Sequence, residues 1–89
     1  MNIGEAVRER ILELCRERDI SINRLSSMSG VTQSTVNNIV SGRNRSTTIS
    51  TIKKLCDGFG VTLGQFFSTE TFDALEPTEL FRELEQEIQ

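Results

Sequence analysis

Gln33, Ser34, Asn37 and Asn38 are four amide or hydroxyl side chains spaced so that a helix would gather them on one face. A Gln or Asn amide can donate to N7 of adenine while its oxygen accepts from the N6 amino group. This two-point match discriminates against the wrong base by ~1 to 3 kcal/mol. The chemistry these residues suggest is hydrogen-bonded reading of base edges in the major groove of duplex DNA. Gln33 is the first candidate because it opens its helical segment, and Ser34 is the shortest of the four. Ser21 and Thr32 stand just before two apolar-periodic segments. As helix N-caps they would offer hydroxyls and open backbone N–H groups to phosphates, favoured further by the helix dipole.

Other chemistries lack their residues. The 89-residue chain has no His, and its two cysteines, Cys15 and Cys56, fall among apolar residues where a free thiol behaves as a small hydrophobe. A structural zinc site needs about four ligands, and no Ser stands beside an evident base, so neither a metal centre, a cofactor nor an enzyme is expected. With no Trp or Tyr, and with all five Phe at apolar positions, the stacking platforms of single-strand binders are missing too.

The elements that would carry the polar quartet follow from caps and spacing. Helix 1 is expected from Ile3 to about Arg18, with Asn2 and Glu5 as a capping box and Ile3, Val7, Ile11 and Leu14 inward. Its Glu5–Arg8 and Glu13–Arg16 spacings read as solvated surface pairs without function. Helix 2 starts after Ser21 and helix 3 after Thr32, each with a hydrophobic staple, Ile20 with Leu25 and Val31 with Val36. Gly30 supplies the sharp turn between them, and helix 3 ends near Ser41 with Gly42 beyond it. Helix 4 runs from Thr48 to Gly60 with Ile49, Ile52, Cys56 and Phe59 inward, and Gly58 within it marks either a close helix contact or fraying. Helix 5 is capped by Thr62 and stapled by Val61 and Phe66.

The run from Ser21 to Gly42, with Ile49 to Cys56 and Phe59 to Leu63 after it, resembles the lambda-repressor-like regulators, the class of Cro and the phage repressors. The resemblance covers roughly the first two thirds to three quarters of the chain. It implies an all-α fold: a compact five-helix DNA-binding domain with a helix-turn-helix at helices 2 and 3, to which the chain adds a C-terminal acidic helix. It also implies that Gln33, Ser34 and Asn38 face bases, with Asn37 beside them as a further candidate, and that Ser41, Arg43 and Arg45 hold phosphates; Asn23 is a further candidate for the backbone, with Ser21 and Thr32 at the helix starts. The chain departs from the usual pattern at Ile22, where a polar residue is common, and near Thr47, where a proline often stands.

The net charge of −3 conceals a division. Residues 1–69 carry nine basic and six acidic side chains, net +3, whereas residues 70–89 carry Arg82 alone against seven acids, net −6. Screening over a Debye length of ~8 to 10 Å lets a binding face feel its neighbours more than the total. We therefore expect a DNA-binding domain over 1–69 and an acidic extension over 70–89. Pro77 and the stripe Leu80, Phe81, Leu84 and Ile88 predict a helix in that extension from about residue 77.

These features together predict a sequence-specific regulator of transcription acting as a repressor on double-stranded DNA. It would bind a near-palindromic operator as a homodimer, at least on DNA. The acidic tail offers a surface for a protein partner, so the alternative is an interaction module of the same fold, as an antitoxin or anti-repressor would be. No apolar run approaches the ~18 residues of a membrane span and no leader precedes helix 1, which points to a cytoplasmic chain, bacterial or phage-encoded by the resemblance.

Overall fold

A computed structural model describes residues 1–77 and shows six helices and no strand among them. They are α1 (Ile3–Arg18), α2 (Ile22–Ser29), α3 (Gln33–Val40), α4 (Ile49–Phe59), α5 (Leu63–Phe67) and α6 (Glu70–Asp73). The expected helix near residue 77 and its stripe lie outside the described residues, apart from Pro77 at the boundary.

Every helix begins on a side chain that accepts from the third residue beyond it: Asn2, Ser21, Thr32, Thr48, Thr62 and Thr69. Asn2 with Glu5 and Thr62 with Gln65 form reciprocal capping boxes. Each cap satisfies amides that the first helical turn leaves without carbonyl partners. The helices are thus started locally, before tertiary contacts reinforce them.

α2 packs chiefly on α4 and α3, α1 on α3 and α6, and α4 on α5. Their inner faces meet in one core in which Ile11, Leu25, Val36, Leu55, Cys56 and Phe66 are fully buried. Both cysteines belong to this core as free thiols. Phe72 of α6 joins it from beyond the expected domain edge, lying 4.9 Å from the Phe67 ring, edge-on, and 6.1 Å from Phe66.

Two inward assignments need correcting. Ile3 and Ile49 are 55% and 61% exposed despite their helical spacing. Each is the first residue of its helix, and a helical side chain leans back over the preceding turn, so at this position it extends past the end of the packed face.

The charged residues of α1 also differ from expectation. The Glu5–Arg8 and Glu13–Arg16 pairs do not form. Glu5 instead accepts from the Asn2 backbone N–H at 3.3 Å, and Arg10 pairs with Glu13. Three arginines reach to the ends of other helices. Arg8 Nε donates to the Val40 carbonyl that closes α3. Arg10 donates to the Phe66 and Gln65 carbonyls of α5 at 2.7 and 2.9 Å, and Arg18 donates to the Phe59 carbonyl that closes α4 at 3.0 Å. Helix C-termini carry unsatisfied carbonyls and partial negative charge; α1 is the strut that caps three of them.

Candidate nucleic-acid interface

α3 is only eight residues long and half of it is β-branched, so intrinsic propensity gives it little support. Its stability comes from its caps and from one buried edge. Thr32 is extended at φ −61° and ψ 148°, and its Oγ1 accepts from the Thr35 N–H at 3.2 Å. Val31 and Val36, 7% and 0% exposed, close the staple, and Ile39 at 2% completes the inner edge. Gly30 turns the chain from α2 into this segment at φ 73°, a left-handed conformation that suits glycine. Ser26 Oγ ties the two helices by donating to the Val31 carbonyl.

With Val36 and Ile39 inward, the opposite edge faces solvent. Gln33, Ser34 and Asn37 are exposed, and Asn38 is half-buried beside them. The Asn38 backbone carbonyl accepts from the Asn44 N–H at 2.9 Å and from Ser41 Oγ at 3.3 Å, so this residue also anchors the loop that follows. The four polar side chains therefore share one outer face, with Asn38 at its margin.

The expected phosphate contacts fall into two groups. Ser21 and Asn23 lie at the start of α2, both exposed, and Ser21 Oγ accepts from the Arg24 N–H at 3.0 Å. Thr32 sits at the start of α3, but its hydroxyl is spent within the protein, donating to Thr35 Oγ1 at 2.8 Å. What this end offers an anion is the first-turn amides of Gln33 and Ser34, which have no intrahelical acceptors.

Ser41, Arg43 and Arg45 occupy the loop after α3 and are exposed. That loop is folded. The Gly42 N–H bonds to the Ile39 carbonyl at 3.1 Å, the Ser46 N–H to Asn44 Oδ1 at 2.9 Å, and Arg45 Nε to the Gly42 carbonyl at 3.4 Å. Arg43 has neither an ion pair nor a hydrogen bond to a side chain among the described residues.

The segment that carries these residues favours an anion by its own charge. Between Asp19 and Asp57 the chain has no Asp or Glu, while it carries Arg24, Arg43, Arg45, Lys53 and Lys54. Phosphate binding needs positive charge with no competing carboxylate nearby. This acid-free span was a sequence signal for the interface that the count by domain obscured. The part played by Arg8 had no such signal, because its partner lies 32 residues away.

Comparison with known proteins gives the same outline. The family model for the Cro/C1-type helix-turn-helix DNA-binding domain matches residues 10–71. The crystal structure of the prophage Lp1 protein 11 superposes with a TM-score of 0.73 at 36% identity, covering 84% of this chain and 100% of that one. No curated protein matches the chain.

Proposed function

The chain belongs to the Cro/C1-type helix-turn-helix DNA-binding family, and we propose that it is a sequence-specific transcriptional regulator that represses by reading the major groove with α3. The observation that carries this reading is the division of α3 into two edges. Val36 and Ile39 lock the helix to the body, which leaves Gln33, Ser34 and Asn37 exposed beside Asn38. In helix-turn-helix docking, the N-terminal residues of the second helix approach base edges and the preceding helix crosses the backbone.

In this arrangement Gln33 and Ser34 reach bases first, with Asn37 and Asn38 following along the groove. Ser21, Asn23 and the amides after Thr32 take one phosphate strand, and Ser41, Arg43 and Arg45 take the other. Phosphate contacts fix the register and base contacts supply the specificity. A bound domain of this size blocks polymerase without further machinery, which makes repression the simplest outcome.

The chain acts as a homodimer on a near-palindromic operator. Two-fold related copies place their α3 helices about one DNA turn apart, ~34 Å, with α5 or the acidic tail contributing to the contact between copies. Selection of bound sequences from random duplex DNA at physiological salt tests the reading. Enrichment of one site with two related halves supports it, and binding without enrichment removes the base-reading role.

A further inference from the structure

Arg8 belongs to α1, outside the helix-turn-helix and outside the residues that the family model matches. The structure nevertheless brings it to the end of α3, where its Nε donates to the Val40 carbonyl. A guanidinium has five N–H donors in a rigid fork. One is spent on Val40, the side chain is exposed, and the remaining four have no partner among the described residues.

The same face of α1 also holds Arg45 in place. Gly4 lies one turn before Arg8, and a Cβ on Gly4 would stand 3.0 Å from the Arg45 carbonyl oxygen and 3.3 Å from its Cα. The loop backbone therefore rests on α1, while Arg45 Nε bonds to the Gly42 carbonyl. Arg8 and Arg45, far apart in sequence, are each tethered through Nε to a carbonyl at the C-terminal end of α3. Arg43 extends from the loop between Gly42 and Asn44. Glu5, the acid one residue beyond Gly4, is held by Asn2 through its backbone N–H and Nδ2, both at 3.3 Å, and Glu9, the residue after Arg8, lies about 100° from Arg8 round the helix.

We propose that Arg8 is a DNA phosphate contact, completing with Arg43 and Arg45 a three-arginine clamp at the C-terminal end of the recognition helix. The inference rests on the DNA-binding reading above. Its physical basis is preorganisation: the Val40 carbonyl fixes the guanidinium through one N–H and leaves the others without a protein partner among the described residues. Arginine presents paired donors to a phosphate at defined angles, which a flexible ammonium does not.

The test is the salt dependence of binding by the full chain to a mixed-sequence duplex and to its selected site. Neutralising one phosphate contact makes the slope of log K against log salt shallower by about 0.9. Arg8→Gln is expected to lose that increment on both DNAs alike, Arg8→Lys to retain it, and Arg16→Gln, the same charge change about two turns further along α1 and away from the end of α3, to leave the slope unaltered. A purely structural Arg8 would lower the melting temperature of Arg8→Gln and of Arg8→Lys while both keep the wild-type slope, and that result overturns the proposal. Equal loss in Arg16→Gln also overturns it, since the effect would then be one of total charge. A wild-type chain that binds neither DNA defeats the parent reading together with this one, whereas a wild-type slope in Arg8→Gln defeats this one alone.

Discussion

Gly58 of α4 lies directly against Ser29 of α2: a Cβ on Gly58 would stand 2.9 Å from the Ser29 Cβ and 3.1 Å from its backbone N and Cα. This close approach, and not fraying, explains a glycine within a helix. Ser29 is the last residue of α2, immediately before the Gly30 turn, so the contact also fixes where α3 departs.

Gly58→Ala should therefore destabilise the fold although alanine is the better helix former by roughly 1 kcal/mol. Overpacking of this kind costs about 1 to 3 kcal/mol because backbone atoms must move. Thermal melting should show a lower midpoint for Gly58→Ala. An unchanged or raised midpoint would mean that the two helices separate without cost.

Asp19 predicts the opposite direction. It caps the C-terminus of α1 at φ 52°, the one non-glycine residue with positive φ among the described residues, and it places a carboxylate at the negative end of the helix dipole. Asp19→Gly removes both penalties and should stabilise by about 1 kcal/mol. For a domain this size that raises the melting midpoint by several degrees. Circular dichroism melts of the two proteins side by side decide it.

Arg10 is expected to matter more than its neighbours on α1. Its side chain is 14% exposed and bonds two α5 carbonyls together with Glu13. Arg10→Ala leaves those carbonyls without their charged donor and should cost about 2 kcal/mol. Arg18→Ala loses one bond and a guanidinium 6.0 Å from the Phe59 ring centre, a cost of about 1 kcal/mol. Denaturant unfolding should rank them in that order, and Arg10→Lys should recover little, since an ammonium cannot reproduce the fork.

The buried thiols set a pH dependence. Burial pushes both Cys15 and Cys56 up, and Asp57 adds to the rise at Cys56, against the opposing pull of Lys53 and Arg10. A thiol with a raised folded-state pKa contributes stability that is complete below the ordinary thiol range. That contribution is lost as pH rises from that range through the folded value. Unfolding free energy should therefore fall on the alkaline side, and the fall should be smaller in Cys56→Ala than in the wild type when each is referred to its own value at neutral pH. Equal slopes would place the alkaline loss in other groups.

What the sequence disclosed depends on how local each interaction is. Helix starts were legible because a cap and its acceptor are three residues apart, as in Asn2 with Glu5 or Thr32 with Thr35. The two-edged character of α3 was legible because Val36 and Ile39 alternate with the polar positions at helical period. Arg8, Arg10 and Arg18 were opaque, since their acceptors lie 32, 56 and 41 residues away and an arginine on a helix looks alike whether it meets solvent or a carbonyl. Ile3 and Ile49 misled because periodicity records direction but not where the covering helix ends. α6 escaped notice because four residues carry no period, and only the packing of Phe72 on Phe67 reveals its place.

The central claim is that the outer face of α3 reads bases while the loop after it holds phosphates. Competition binding to the selected site and to unrelated duplex, with Gln33→Ala and Arg43→Ala beside the wild type, tests this most directly. Gln33→Ala should lose ~1 to 3 kcal/mol on the site alone and keep its nonspecific affinity. Arg43→Ala should weaken both DNAs equally and flatten the salt slope by about 0.9. If the two substitutions produce the same sequence-independent loss, α3 does not read bases.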